Sequence, residues 1–266
     1  MHSLFFLYRL YKRHSNDFRK TFDLIPERFD QYRPRYCPEL FQELTSACGL
    51  APNKRALEIG PGTGQATEPV LQTGCEYTAV ELGENFTSLM KEKYRSYPNF
   101  HILNADFETV PLKENHYDLI YSAATIQWIP EEIAFPRIFR LLGPGGYLAM
   151  FMTRSDEKTA NPLLKDEIDQ AYAQYFHVKQ HYTCRMQYEN ALHYGFASVS
   201  YHEWKKVRRL NAEEYLCYIS THCEHITLEE PFRSRFYDAI RQAVLNAGDE
   251  IVIQDTIPLY LFQKPV

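Results

Sequence analysis

The stretch that most constrains this chain covers residues 55–64 and has the sequence RALEIGPGTG. An apolar run that ends in Glu58 and Ile59 is typical of a buried parallel strand. Three glycines alternate directly after it, and residues 65–72 have the pattern of the first turns of a helix. A strand, a glycine-rich turn and a helix N-terminus bring bare backbone N–H groups into one crevice, so this stretch predicts a ligand-binding site.

The spacing of the glycines limits which ligand can bind there. A dinucleotide fingerprint would place its third glycine at position 65, where this chain has Gln65. No Lys-Ser or Lys-Thr pair follows the turn, so the chain also lacks a P-loop. What remains is the pattern E-x-G-x-G-x-G and a second acid, Glu81, which ends the next apolar run at 77–80.

This pattern resembles motif I and the acidic position that follows it in class I methyltransferases that use S-adenosyl-L-methionine. That cofactor carries no phosphate, and it presents an ammonium group, a sulfonium and a ribose diol, which suit acids at strand ends. The resemblance implies that Glu81 accepts hydrogen bonds from both ribose hydroxyls, as acids do in dinucleotide sites. It also implies this set of cofactor-binding residues: Glu58, Gly60, Pro61, Gly62, Gly64, Gln65, Glu81 and Leu82.

The ends of the next two predicted strands carry further candidate positions, because ligands in open α/β sheets bind outside the carboxyl ends of the strands. The resemblance implies cofactor contacts at Asp106, Phe107, Ser122 and Ala123, and acceptor contacts at Gln127 and Trp128. Asp106 would take the adenine amino group, and the small side chains at 122 and 123 would leave room for the sulfonium. The chain has neither the N-P-P-Y or D-P-P-Y tetrapeptide of amino-methylating enzymes nor the glutamate pair of arginine methyltransferases.

A segment rich in aromatic residues and arginines, FDQYRPRYCPEL, precedes the core. It resembles the entry segment of small-molecule methyltransferases, which folds over the methionine end of the cofactor. The resemblance implies that Arg33 and Tyr36 cover the site, with an arginine opposite the cofactor carboxylate. Arg35 fits that role as well as Arg33 does, and local packing is the alternative for all of these side chains.

Strand and helix patterns alternate after the glycine turn, as in a parallel sheet with crossover helices. The predicted strands are 55–59, 77–81, 100–104, 117–122 and 147–153, and the predicted helices are 64–73, 84–96 and 131–142. The expected fold class is α/β: a doubly wound, seven-stranded, mostly parallel sheet, Rossmann-like as in class I methyltransferases, with a helical cap. The expected divisions are a leader (1–26), a cofactor-binding core (27–154), a cap region (155–195) and C-terminal strands and helices (196–266).

Composition excludes several classes of protein. The net charge of −5 argues against a dedicated nucleic-acid binder. Six cysteines without a CxxC pair predict a reduced, cytoplasmic chain, and the cluster of Cys217, His222, Cys223 and His225 has the spacing of no familiar zinc module. The apolar run 4–8 is too short for a signal peptide or a membrane helix and predicts a leader or packing helix. We therefore expect no metal, no membrane partner and a monomer or homodimer.

The resemblance covers about residues 27–154 and is greatest to the small-molecule branch, the type that includes trans-aconitate methyltransferase. It implies in-line transfer of a methyl group from S-adenosyl-L-methionine to a small-molecule acceptor, which requires mainly alignment and exclusion of water. No spacing singles out a catalytic residue, although His177, His181 and Tyr182 lie in the cap region. The alternatives are an RNA methyltransferase, a Rossmann-type NAD-dependent oxidoreductase, and a methyltransferase-like fold that binds a ligand without turnover.

Overall fold

The computed structural model describes residues 17–158, 160–183 and 186–266. The predicted leader run 4–8 and Cys184 lie outside these ranges. The chain forms two compact units. We call the first the helical unit; it is made from the described parts of 1–33, 154–183 and 205–256. We call the second the sheet unit; it is made from 34–153, 184–204 and 257–266.

A mostly parallel sheet organises the sheet unit. The first five strands are β1 (Arg55–Ile59), β2 (Glu76–Glu81), β3 (Phe100–Asn104), β4 (Tyr117–Ala123) and β5 (Leu142–Phe151), and the last three are β6 (Arg154–Asp156), β7 (Ala197–Leu210) and β8 (Ile251–Gln263). The strand order is β3-β2-β1-β4-β5-β8-β6, with β7 also paired to β8. The pairs among β1 to β5 are parallel, whereas β8 runs antiparallel to β5 and to β6. The chain order reverses between β1 and β4, which is where open α/β sheets bind ligands.

Both faces of β1, β2, β4 and β5 are buried, because alternate residues enter different apolar cores, whereas the edge strand β3 exposes Leu103. Ala56 of β1 packs in the core that includes Leu40 and Leu44, whereas its neighbour Leu57 packs in the core that includes Phe135. This two-sided burial explains why the strands are nearly continuous apolar runs and not alternating ones. A polar side chain within such a strand is therefore enclosed by protein and needs a polar partner.

The helices begin and end at residues that suit helix termini. Within the described ranges the α-helices are α1 (Pro26–Tyr32), α2 (Pro38–Cys48), α3 (Thr67–Leu71), α4 (Glu84–Lys93), α5 (Glu131–Leu141), α6 (Pro162–Tyr175), α7 (Ala212–Ile219), α8 (Cys223–Ile226) and α9 (Phe232–Asn246). Helix α2 starts with a proline and ends at Gly49 in the left-handed conformation. Helix α4 has Glu84 in its first turn and Lys91 and Lys93 in its last, which complement the helix dipole.

Two features add to or differ from the sequence-based expectations. Residues 155–195 were predicted as a cap region without helix bounds, and they contain the 14-residue helix α6. This helix buries Leu164, Ile168 and Ala171 at helical spacing in the same apolar core as residues of α9, and its long polar face hides that spacing in the sequence. The sheet also has eight strands and not seven, because the three-residue strand β6 pairs with β8. A strand of three residues is too short to produce a recognisable period.

Candidate functional site

The glycine turn follows β1 and requires glycine at two positions for different neighbours. Gly60 has φ +64°, and a Cβ there would lie 2.8 Å from Thr125 Oγ1 and closer still to the Thr125 methyl group. Gly64 has φ +85°, and its Cβ would lie 2.7 Å from the hydroxyl oxygen of Tyr94. Any other residue would add both backbone strain and a steric clash, so the turn keeps its tight path only with glycine.

Strand register brings the ends of β1, β2, β3 and β4 to one edge of the sheet. Ile59 pairs with Val80, Glu81 pairs with Asn104, and Glu58 pairs with Tyr121. The residues that follow these pairs, including Gly60 and the segments after 104 and 121, therefore lie at the same edge. The strand register thus places the ends of these four strands, and the loops that follow them, at one edge of the sheet.

Glu81 lies directly against the glycine turn. One of its carboxylate oxygens accepts a hydrogen bond from the Gly62 N–H at 3.0 Å, and the other accepts one from the Gly83 N–H at 2.8 Å. Gly83 immediately precedes helix α4. The N–H that a phosphate-binding turn would offer to an anion is here directed at a carboxylate, so a phosphate at this position would meet negative charge.

Glu58 lies below the turn and not at its surface. Its side chain is fully buried, and one oxygen accepts hydrogen bonds from Thr67 Oγ1 at 2.6 Å and from the Tyr77 hydroxyl. The other oxygen, Oε1, is buried without a hydrogen-bond partner. Burial raises the pKa of Glu58 above the usual glutamate value, although the Thr67 and Tyr77 hydrogen bonds act in the opposite direction.

The remaining turn residues mainly organise the backbone. The Pro61 carbonyl accepts a hydrogen bond from the Gly64 N–H at 2.9 Å, and the Gln65 side chain donates to Thr63 Oγ1 at 2.6 Å. The Leu82 carbonyl accepts a hydrogen bond of 3.3 Å from the Asn104 side chain. These contacts fix the loop geometry and leave the cofactor-binding roles of Pro61, Gln65 and Leu82 as predictions.

Asp106 and Phe107 begin a tight turn after β3. Asp106 Oδ1 accepts a hydrogen bond from the Glu108 N–H at 2.9 Å, which is the local capping that an aspartate in a turn commonly provides. Phe107 is buried, and the guanidinium of Arg137 lies 5.2 Å from its ring centroid. The predicted contact of Asp106 with adenine stays a prediction.

Small and polar residues end β4 as predicted, but their polar groups are largely engaged. The Ser122 hydroxyl accepts a hydrogen bond from the Ile126 N–H at 2.9 Å, so this side chain fixes the following turn. Ala123 is half-buried. Gln127 donates to the Ala124 carbonyl at 2.9 Å and accepts from the Tyr188 hydroxyl at 3.3 Å, while Trp128 is half-buried beside it.

The structure assigns the two predicted residues of the entry segment to different units. Arg33 belongs to the helical unit, where its guanidinium donates to the Thr221 carbonyl at 2.7 Å and lies 5.0 Å from the Phe29 ring centroid. Tyr36 belongs to the sheet unit and makes an edge-on contact with Phe151 at 4.9 Å between ring centroids. Both side chains therefore have packing roles, and their roles at the cofactor stay predictions.

Sequence analysis missed several residues that shape this edge. The Thr125 hydroxyl donates a hydrogen bond to the Gly60 carbonyl at 2.9 Å, and the Lys93 side chain donates to the Thr63 carbonyl at 2.9 Å. Thr67, Tyr77 and Tyr121 surround Glu58. One signal was available for the tyrosines, because hydroxyl-bearing residues within two continuous apolar strands need a polar partner.

The helical unit contains the histidines considered as general bases. Both histidines are exposed. His177 contacts the Gln174 carbonyl at 3.0 Å, and His181 contacts Glu224 Oε1 at 3.1 Å. Burial raises the pKa of Cys223 to about 12. No set of three or more acidic, histidine or cysteine side chains in the described ranges could hold a metal ion. No helix of the described chain is long and apolar enough to cross a membrane.

The doubly wound sheet, the E-x-G-x-G-x-G turn and the acid at the end of β2 define the class I S-adenosylmethionine-dependent methyltransferase fold. Comparison with known proteins agrees, because residues 57–150 match the family model described as a methyltransferase domain. The resemblance that the motifs predicted is confirmed. The matched segment contains β1 through most of β5, and with them the glycine turn and Glu81.

Three curated relatives match parts of the chain. A malonyl-[acyl-carrier protein] O-methyltransferase of Marinomonas sp. (strain MWYL1) is 30% identical over 140 residues, or 51% of each chain. A trans-aconitate 2-methyltransferase of Variovorax paradoxus (strain S110) is 31% identical over 126 residues, 47% of this chain and 48% of that protein. A ribosomal RNA small subunit methyltransferase A of Synechococcus sp. (strain JA-3-3Ab) is 31% identical over 110 residues, 40% of this chain and 37% of that protein.

The chain spans about half the length of the curated relatives that it matches. Among solved structures, a candidate type II methyltransferase from Anaeromyxobacter dehalogenans superposes with a TM-score of 0.63. That match covers 88% of this chain and 99% of the other at 20% sequence identity. Identity this low shows the fold alone.

Proposed function

We propose that this chain is an S-adenosyl-L-methionine-dependent methyltransferase that transfers a methyl group to a small-molecule acceptor. One observation carries the proposal: Glu81 bridges the N–H groups of Gly62 and Gly83 at the carboxyl edge of the sheet. An acid in that position suits a ligand that presents a ribose diol. An NAD-dependent oxidoreductase is disfavoured instead by Gln65, which stands where the dinucleotide fingerprint has its third glycine.

The proposed site fits the chemistry of this cofactor. Glu81 would hold the ribose, Glu58 Oε1 would accept from the ammonium group, and Asp106 and Phe107 would bind adenine. Ser122 and Ala123 would border the sulfonium, and Gln127 and Trp128 would border the acceptor. When bound, the cofactor supplies an electrophilic methyl group on a good leaving group, so the chain has mainly to bind, align and exclude water.

A small acceptor that carries a carboxyl group is the finer part of this proposal. Two of the relatives are named for acceptors that carry a carboxyl group, a malonyl group on an acyl carrier protein and the small molecule trans-aconitate. An RNA acceptor is the alternative, because another relative is named as a ribosomal RNA methyltransferase. The basic segment 205–209 gives RNA little support: Arg208 is 2.5 Å from Asp255, and Arg209 is 2.6 Å from Glu250.

Three further assignments belong to the same proposal. We infer a cytoplasmic location, because all five cysteines in the described ranges are free. We keep the divisions at 27, 155 and 196 as a proposal about domain organisation. We also propose a monomer or homodimer.

The experiment that tests this function has two stages. Calorimetry should show binding of S-adenosylhomocysteine and no binding of NADH. Purified chain supplied with methyl-labelled S-adenosylmethionine should then label members of a panel of small carboxylic acids and leave ribosomal RNA unlabelled. Labelled RNA with unlabelled acids would replace the small-molecule proposal, and absence of cofactor binding would refute methyl transfer altogether.

A further inference from the structure

Four polar side chains from four different elements meet beneath the glycine turn. They are Glu58 of β1, Thr67 of α3, Tyr77 of β2 and Tyr121 of β4. All four are fully buried within the sheet unit. A continuous apolar strand would ordinarily present an aliphatic residue or phenylalanine at such positions, so the hydroxyl groups call for a physical explanation.

Two hydroxyl groups of this cluster donate to the same oxygen of Glu58. Thr67 and Tyr77 both donate to Oε2, and the Tyr77 hydroxyl lies 2.6 Å from that of Tyr121. The Tyr121 hydroxyl is also 3.4 Å from the Ala66 carbonyl, at the start of α3. Burial raises the pKa of both phenols well above the usual tyrosine value, so each keeps its single proton and acts as a donor.

The count of donors leaves one acceptor unused. Each phenol has one proton and Thr67 has one, so the protons of this cluster serve Oε2, the other phenol or the Ala66 carbonyl. Oε1 is buried without a partner. Buried polar atoms without partners are rare in folded proteins, and such an atom can be completed by a water, an ion or a ligand group.

The position of Oε1 indicates which ligand group could donate a hydrogen bond to it. Glu58 lies two residues before Gly60, at the carboxyl end of β1, where ligands of this fold bind. A carboxylate oxygen held in a low-dielectric setting gains most from a charged donor. The proposed cofactor carries one such group, the ammonium of its amino-acid end.

We propose that Tyr77 and Tyr121 are positioning residues for the cofactor: they hold Glu58 through Oε2, so that Oε1 is presented to the ammonium group of the ligand. The inference rests on the proposed function and deepens it. The two tyrosines touch Glu58 or each other, and the proposal gives them no contact with the ligand.

The test compares two ligands that differ only at the amino-acid end. S-adenosylhomocysteine carries the ammonium group, whereas 5′-methylthioadenosine shares the nucleoside and the sulfur and lacks that end. Affinities of wild type, Tyr77→Phe and Tyr121→Phe are measured by calorimetry for both ligands. The matched control is Tyr117→Phe, because Tyr117 is a buried tyrosine at the start of the same β4 that holds Tyr121.

Loss of positioning should appear as a selective effect. Tyr77→Phe should weaken S-adenosylhomocysteine about tenfold and change 5′-methylthioadenosine less than twofold, because only the former uses Oε1. Tyr121→Phe should give the same selectivity with a smaller loss, since Tyr121 acts through Tyr77, and Tyr117→Phe should change neither affinity.

Two results would overturn the proposal. Equal losses for both ligands would mean that the tyrosines only support the glycine turn, and unchanged affinities would mean that they do not act on Glu58 at all. Should one variant fail to fold by circular dichroism, the other still decides. Wild type that binds 5′-methylthioadenosine as tightly as S-adenosylhomocysteine would refute the use of Oε1 while keeping the nucleoside site. Wild type that binds neither ligand would refute the proposed function and this inference together.

Discussion

The sheet unit and the helical unit both bury polar side chains, but they satisfy them differently. In the sheet unit an acid, Glu58, collects hydrogen bonds from hydroxyl groups beside a recognisable motif. In the helical unit His225 contacts the Tyr172 hydroxyl at 3.0 Å among aromatic rings. Burial raises the pKa of Glu58, whereas it lowers the pKa of His225 to about 3. Burial therefore acts against the charged form of each group, and at Glu58 the hydrogen bonds from hydroxyl groups act in the opposite direction.

The helical unit also contains a buried ion pair. Arg208 donates to both oxygens of Asp255, at 2.5 and 3.0 Å, and Ser155 accepts from Arg208 and donates to Asp255. Asp255 is 1% exposed. The comparison suggests that the polar cluster of the sheet unit serves a ligand, whereas that of the helical unit serves stability. The predictions below test this division, beginning with the largest expected effect.

Removal of the buried acid in the helical unit should have the largest effect on stability. Asp255→Ala leaves Arg208 buried without its carboxylate, which typically costs about 3–5 kcal/mol. Urea unfolding followed by circular dichroism measures this loss. The matched control is Glu250→Ala, which removes the partner of Arg209 from an exposed pair and should cost at most about 1 kcal/mol. Equal losses for the two variants would show that burial of the Arg208 pair has no special role.

The glycine turn should be the most sensitive point for ligand binding in the sheet unit. Gly62→Ala places a side chain at φ +59° on the residue whose N–H faces Glu81, and we expect S-adenosylhomocysteine affinity to fall about 100-fold, or about 2.7 kcal/mol. Gly49→Ala is the control, since its φ of +57° imposes the same backbone strain at the end of α2. Calorimetry should show unchanged affinity for the control; a similar loss there would attribute the effect to strain alone.

The histidine cluster should make the helical unit sensitive to acid. The folded pKa of His225 lies near 3, below the unfolded value, so unfolded chain binds a proton first as pH falls and stability is lost. From the usual value of ~6.5, this histidine alone should remove about 2 kcal/mol between pH 7 and pH 5. Burial also lowers the pKa of His222, which acts in the same direction. His225→Phe should flatten the profile in urea titrations at each pH, and an unchanged slope would contradict this account.

The raised pKa of Glu58 predicts the opposite sign in the sheet unit. Folded protein holds this proton more tightly than unfolded chain, so its contribution to stability decreases as pH rises above the usual glutamate value. Glu58→Gln, which cannot ionise, should lack this decrease. If His225→Phe and Glu58→Gln change the dependence of stability on pH in the same direction, the proposed contrast between the two units is wrong.

Glu81 should give the smallest of these effects on affinity. Loss of its charge-assisted hydrogen bonds to the ribose should weaken S-adenosylhomocysteine at least tenfold in Glu81→Ala, or about 1.4 kcal/mol, and less in Glu81→Gln. Glu76→Ala serves as the control, because Glu76 is an exposed acid at the opposite end of β2. Unchanged affinity in Glu81→Ala would mean that this acid only connects the backbones of Gly62 and Gly83 and does not bind the ligand.

Much of the sheet unit could be predicted because its information is local. The strands at 55–59 and 100–104 were predicted to the residue, since each is a short, largely apolar run between turns. The glycine turn was equally accessible, because a tight backbone path demands glycine at fixed spacing. In the helical unit the bounds of α6 inside the predicted cap region were not predicted, since this helix buries only a narrow apolar face.

The sequence by itself determined the class of fold, the glycine turn and the acid that faces it, because each depends on residues close together in the chain. Only the tertiary structure decided what surrounds those residues. Tyr77 lies 19 positions from Glu58 and donates to it, and Tyr121 lies 63 positions from Glu58 and contacts Tyr77. Only the register of three strands brings these residues together. In the same way His225 meets Tyr172 across 53 positions. A hydrogen bond between distant residues leaves no period in the sequence, so its partners are known only when the chain is packed.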